Sequence, residues 1–315
     1  MNRPPATHSS RSVLHNLRRV TVIACFAIAF AGPNRASSGD PGPGFVRLKP
    51  KDIVIADSNA GLLKFDPVLR ELSVLSAGEP LSRPYGIAID PKGNLLVTDT
   101  GTRAVIRVSP ATGKKEILAA NLPGLPFGIA LDAQGDILVA NAEAVLRIKS
   151  DTGLIGMVYA GDLLKVPLGV ALGSDGSIFV ADGSGSVLKV NPLSRAQNLI
   201  ASGKPLVQPV GIALDAEGNI LIADSVARRV IRIDAVTCAQ TVISEEGSLT
   251  TPVCVAIEKT GALLVSDPDA FDLEGGIIRL GPGNAVQTPL MQGTGNFVNP
   301  RGIAIVRPGQ VNRPR

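Results

Sequence analysis

Histidine is missing from the body of this chain: the two it has are His8 and His15. Without imidazole beyond residue 15 there is no Ser-His-Asp or Cys-His nucleophile system, no imidazole general base and no access to the commonest zinc ligand. Tryptophan is absent, and charged residues make up only 18% of the chain. An excess of positive charge is missing too, once the leader is set aside. Of 31 Lys+Arg and 27 Asp+Glu, residues 1–31 hold Arg3, Arg11, Arg18 and Arg19 and no acid, leaving 27 against 27. With no net positive field and no Lys/Arg run, binding to a phosphate backbone has no electrostatic source, so no nucleic-acid partner is expected. Gly and Pro total 58 of 315 residues without a triplet period, which excludes collagen, and a hydrophobic content of 45% excludes wholesale disorder.

The one notable apolar run is Val20–Ala31, 12 residues long. It is too short for a transmembrane helix, which needs roughly 20 residues. A basic segment, this run and Ala29-Phe30-Ala31 together read as a secretory signal peptide over residues 1–31. Lipid modification at Cys25 fits less well because the apolar run continues past it. Arg18-Arg19 lacks the remainder of a twin-arginine signature. The expectation is export to the periplasm or the medium, with no membrane span left after cleavage.

What is present is a repeat. Pro84-Tyr85-Gly86-Ile87-Ala88-Ile89-Asp90 returns as Pro126–Asp132, Pro167–Leu172 and Pro209–Asp215, then as a degraded copy at Pro252–Glu258, and last as Pro300–Ile305. A second anchor ends an apolar run eight to eleven residues later, at Asp57, Asp99, Asn141, Asp182, Asp224 and Asp267, spaced 42, 42, 41, 42 and 43. Within one period Gly86–Ile89, Leu95–Thr98, Val105–Val108 and Glu116–Ala119 read as strands A to D, rich in Val, Ile and Leu. Gly, Pro, Asp and Asn fill the turns between them. A four-stranded repeat of this length marks a β-propeller blade. The first strand B has no A before it and the final A has no B after it, so joining the two chain ends completes one blade. The prediction is therefore an all-β, six-bladed propeller over residues 45–306, with four antiparallel strands per blade. Flexible segments are expected at 32–44 and 307–315.

The pattern Gly-φ-Ala-φ-Asp, Gly-Asn, φ-φ-φ-Ala-Asp and φ-φ-Arg-φ, clearest in Gly211–Asp215, Gly218–Asp224 and Val230–Ile233, resembles the NHL-repeat family. The resemblance covers nearly the whole chain after the leader and departs where such repeats often carry Asn-His. It implies the fold. For function it implies little, because the family spans lyases, hydrolases, sensors and scaffolds. Streptogramin lyases are similar in architecture but use His, as do peptide-amidating lyases. Gluconolactonase-like propellers use a Glu/Asn/Asp metal site on inner strands, for which Asn141 and Asp182 are the sole fragments here.

In an up-and-down blade, strand A lines the axis. The face where it begins, termed the upper face, also receives the ends of strands B. The residues before the anchor glycines, Tyr85, Phe127, Leu168, Val210, Val253 and Arg301, are placed at the channel mouth. They read either as a side-chain plug or as an apolar ligand pocket with one cation. Small residues at Gly86 and Ala88 and their copies suit converging inner strands. The Asp anchors read as caps of the B–C turns, with an acidic rim for cations as the alternative. The longer loop with Asp267, Asp269, Asp272 and Glu274 reads as a solvated acidic loop, with Ca²⁺ binding as the weaker alternative. Cys238 and Cys254 are expected as separate thiols, too far apart to bridge, and Cys254 as a small buried hydrophobe. The resulting expectation is an exported, monomeric, non-catalytic propeller that binds an extracytoplasmic protein, glycan or small molecule at one face. A metal-assisted hydrolase or lyase on the same scaffold is the alternative.

Overall fold

The structure is a computed structural model that describes residues 47–161, 163–283, 285–293 and 299–310. The segments expected to be a signal peptide (1–31) and a flexible linker (32–44), and residues 311–315 of the expected flexible tail, lie outside the described residues. Six four-stranded antiparallel sheets make up the fold. The closing blade pairs β24 (Pro300–Ile305) with β1 (Ile53–Asp57), β2 (Gly61–Asp66) and β3 (Glu71–Ser76). Blade two holds β4 (Pro84–Ile89), β5 (Leu95–Asp99), β6 (Ala104–Val108) and β7 (Lys115–Ala119). Blade three holds β8 (Pro126–Leu131), β9 (Ile137–Asn141), β10 (Ala144–Ile148) and β11 (Ile155–Ala160). Blade four follows with β12 (Pro167–Leu172), β13 (Ile178–Asp182), β14 (Ser186–Val190) and β15 (Gln197–Ser202). Blade five is β16 (Pro209–Leu214), β17 (Ile220–Asp224), β18 (Arg229–Ile233) and β19 (Gln240–Glu245). Blade six is β20 (Cys254–Ile257), β21 (Leu263–Asp267), β22 (Gly276–Leu280) and β23 (Gln287–Gln292).

Strands B are buried along their whole length except at Phe179 of β13, which is half-buried, and so they read as unbroken apolar runs and not as alternating ones. Their two faces pack against different neighbours. Val54 and Ala56 join a cluster with Ile87, Leu95 and Ile106 of blade two, whereas Ile53 and Ile55 pack with Leu264 and Ile277 of blade six. The hydrophobic core is thus six layers between blades, each built from two sheets. Each fully buried Ile or Leu contributes roughly 1.5–3 kcal/mol. Outer strands D are the most exposed of the four and leave residues such as Val74 and Met157 open to solvent.

The seam of the ring is made without a covalent turn. Ile53 to Ala56 pair with Ile305 to Gly302, and the Lys51 amide donates to the Val306 carbonyl at 2.8 Å while the Val306 amide donates to Asp52 at 2.9 Å. Those two bonds match the ones inside the A–B turn of blade two, from Gly93 to Asp90 and from Asp90 to Asn94. Lys51, at φ 80°, takes the left-handed conformation that Gly93, also at φ 80°, supplies there. Among the described residues the one short helix, α1 (Ala270–Leu273), is a left-handed turn, with Phe271, Asp272 and Leu273 at φ 54°, 59° and 70°. No helix among them is long and apolar enough to cross a membrane.

Candidate functional site

Pro84 pairs with Asp99, and Asp99 with Ala104, so each strand A begins beside the Asp anchor of its own blade on the upper face. All six anchors are fully buried. Asp99 Oδ1 accepts the Thr102 amide of the B–C turn at 2.8 Å, the capping role expected from sequence. Its other oxygen accepts the Ser82 and Arg83 amides at 2.8 and 2.9 Å, from the crossover arriving from the previous blade. Asp182 repeats this with Lys165 and Val166, Asp224 with Val207 and Gln208, and Asp267 with Thr250 and Thr251. Asp57 reaches Asn299 across the seam at 2.9 Å. Each carboxylate therefore ties a turn to a crossover. A mouth residue follows two positions after the tied crossover, at Tyr85, Leu168, Val210, Val253 and Arg301. Burial pushes the Asp267 carboxyl up, against the pull of the Thr250, Thr251 and Asp269 amides. Asn141 breaks the pattern: neither polar atom of its buried carboxamide has a partner among the described residues.

The small residues of strand A are required by the approach of neighbouring backbones. A Cβ at Gly169 would lie 2.3 Å from the Val210 carbonyl oxygen, and one at Gly86 would meet the Phe127 carbonyl equally closely. Cys254 replaces this glycine in β20 and packs with the cluster shared by blade six and the closing blade. Cys238 and Cys254 are both free thiols.

Inside this ring lies an axial cavity of about 120 Å³. Five of the six mouth residues wall it, Tyr85, Leu168, Val210, Val253 and Arg301, together with Cys254 and the small residues behind them. Phe127 is not part of the wall. It stands edge-on to Tyr85 with centroids 5.1 Å apart, in the blade whose crossover lacks the carboxylate tie. The Arg301 guanidinium lies over the Tyr85 ring, 5.7 Å from its centroid. The Arg301 backbone carbonyl accepts the buried Ser266 hydroxyl of blade six, and the Phe127 carbonyl likewise accepts Thr98 of blade two.

Electrostatics separates the mouth from the rest of the molecule. Every strand C carries a cation near its end, the second-last residue in five of the six and Lys64 in β2, and each meets an acid. Examples are Lys64 with Asp52 at 3.6 Å, Arg147 with Asp132 at 3.4 Å, Arg232 with Asp215 at 3.8 Å and Arg279 with Glu258 at 2.6 Å. These acids occupy the A–B turns, away from the mouth. Among the described residues Arg301 makes no ion pair, and the titratable groups beside it are poorly ionised. Burial raises the Tyr85 phenol, with Arg301 opposing, and pushes the Cys254 thiol up to about 11. Both side chains are half-buried by area, yet the walls around them are apolar, and that governs their ionisation.

The acidic loop does not converge on a point. Asp267 is buried with both oxygens engaged by amides, Asp269 is half-buried, and Asp272 and Glu274 are exposed. Among the described residues, no three His, Cys, Asp or Glu side chains gather as a group able to hold a metal ion. The mouth ring was readable from the repeat register. The Asp-to-crossover tie was not, because its partners are backbone amides 16 and 17 residues upstream.

Comparison with solved structures places this architecture among six-bladed propellers. The chain superposes on a nidogen/laminin complex structure with a TM-score of 0.69 at 16% identity, covering 80% of this chain and 97% of that one. A streptogramin B lyase gives 0.61 at 15% identity, covering 81% and 89%. A catalytically inactive histidine-to-alanine variant of virginiamycin B lyase from Staphylococcus aureus, in complex with quinupristin, gives 0.58 at 17% identity, covering 78% and 86%. At these identities the likeness concerns the fold alone. No protein-family model and no curated protein sequence matches the chain.

Proposed function

We propose that the chain is an exported, non-catalytic propeller of the NHL type that recognises a ligand or partner at its upper face through the axial mouth. The observation that carries this reading is the walled cavity itself. Six different strands converge on it, and its titratable groups are a lone guanidinium, a phenol raised by burial and a thiol raised to about 11. A thiol held that high is protonated at neutral pH and does not act as a nucleophile. The neighbours show that one fold serves recognition in one protein and catalysis in another. The inactive lyase variant has lost a histidine, and this chain has none after His15.

The test is thermal melting against a ligand collection, for the wild type and for Leu168→Trp, which fills the cavity. Ligands of the mouth raise the wild-type melting temperature by mass action and leave the filled variant unmoved. Hits that stabilise both proteins equally overturn the assignment of the mouth. Fractionation of cells making the chain with and without residues 1–31 checks export: the truncated chain stays inside if the leader is a signal.

A further inference from the structure

We propose that the axial mouth takes a carboxylate carried on a small apolar body, with the carboxylate at Arg301 and Tyr85 and the apolar part against Leu168 and Val210. This rests on the reading of the mouth as the binding site and names the chemistry it selects.

The mouth is two-sided. Arg301 of the closing blade and Tyr85 of blade two form one side, and Leu168 and Val210 of blades four and five face them across the axis. The rim follows this division only in part. Leu125, Val166 and Val207, 43%, 40% and 46% exposed, lie on the crossovers into blades three, four and five, where they stand beside the exposed Lys165 and the half-buried Gln208, whereas the crossovers into the remaining blades present Arg83, Thr251 and Asn299. Arg301 is held ready: Ser266 fixes its carbonyl from beneath and the Tyr85 ring supports its guanidinium. A guanidinium fork with no acid partner among the described residues, set in an apolar wall, is matched best by a planar anion that accepts two parallel N–H bonds. The Tyr85 hydroxyl, kept protonated by its surroundings, adds one neutral donor.

Size and charge narrow the class further. A cavity of about 120 Å³ admits a small ligand such as a carboxylate on a short apolar body. One cation compensates a monoanion, whereas a phosphate dianion would carry a second charge into an apolar wall without a partner. A carboxylate of this kind comes either from a free short-chain acid or from the C-terminal residue of a peptide, and the two are separated by the choice of ligand.

The chain has two tyrosines and no tryptophan, so Tyr159→Phe leaves Tyr85 as the sole emitter and its fluorescence reports on the mouth directly. Isovalerate and N-acetyl-valine represent the two sources, with isovaleramide and N-acetyl-valinamide as their neutral counterparts. Saturable quenching by at least one acid is expected, with its amide at least about tenfold weaker. Arg301→Gln should weaken the acid by about tenfold and leave the amide unchanged. Arg301→Lys, which keeps the charge and loses the fork, falls between, and added salt weakens only the acid. The tighter of the two acids assigns the source. Equal binding of acid and amide, or an acid response untouched by Arg301→Gln in a variant with wild-type circular dichroism, overturns the proposal and leaves the mouth as a binding site for a neutral ligand. No response to either acid overturns it as well, while the Leu168→Trp melting comparison judges the mouth itself independently.

Discussion

Replacing Asp224 by alanine isolates what the buried carboxylates contribute. Asp224 accepts the Val207 amide at 2.7 Å and the Gln208 amide at 2.9 Å from the crossover, and the Ala227 amide at 2.9 Å from the turn. Hydrogen bonds to a charged acceptor are worth roughly 1.5–3 kcal/mol each, and a donor left without a partner costs about 1–3 kcal/mol. Val207 is 46% exposed, so water replaces part of what its amide loses. The expected net loss is about 3 kcal/mol, near the upper end for a single substitution. Asp224→Asn, which keeps one acceptor oxygen, should cost about half as much. Urea denaturation at neutral pH reads the loss as a lower midpoint with unchanged slope, and hydrogen exchange reads it locally as faster exchange at Val207 and Gln208. A loss below about 1 kcal/mol, or unaltered exchange at those two amides, would refute the view that the aspartates tie the crossovers to the blades.

Three further outcomes follow from the same structure. Asn141→Asp should stabilise the protein by about 1 kcal/mol, because a carboxylate there can accept the crossover amides that Asn141 leaves alone; a lower urea midpoint counts against this. Cys254, with its thiol near 11, should resist alkylation at pH 8 in the folded protein and react readily in urea, and mass spectrometry after timed labelling would expose equal rates. Asp175 is drawn down to about 2 by the Ser177 amide, the Ser177 hydroxyl and Lys189, and Asp66 and Asp234 are lowered by the amides of Leu69 and Val68 and of Thr237 and Val236. Because their folded values lie below the unfolded 3.8, the stability they confer is present above about pH 4 and is lost as pH falls through those folded values, which for Asp175 means toward 2. Asp267, raised by burial, works in the opposite direction. Asp175→Asn should flatten the decline in urea midpoint between pH 4 and pH 2.5, and an unchanged slope contradicts the assignment.

The blade count, the strand boundaries and the closure by both chain ends were legible because a period of 41 to 43 residues repeats both anchors. Leu95–Thr98, read as strand B, extends one residue further to Asp99, and Val105–Val108 begins one residue earlier at Ala104. The mouth positions were legible for the same reason, since register alone places Tyr85, Leu168, Val210 and Arg301 at equivalent points. Their interactions were not. The tie from Asp224 to Val207 and Gln208 runs to backbone amides, which no side-chain pattern encodes. That Arg301 makes no ion pair among the described residues, while Arg279 meets Glu258 and Arg147 meets Asp132, is a matter of spatial placement that no linear pattern carries. Phe127 was indistinguishable from its ring mates by register, and only packing against Tyr85 sets it apart.

The seam between β1 and β24 also fixes how the molecule can be held. The chain enters the ring just before Ile53 and leaves it just after Ile305, and these two residues are paired at the end of the sheet remote from the mouth. Gln310 then folds beneath the neighbouring blade, donating to the Ile89 carbonyl at 2.9 Å. An anchor, fusion partner or solid support joined to the ring just before Ile53 or just after Ile305 therefore grips the floor of the propeller and presents Arg301 and its neighbours outward, like a cup fastened by its base.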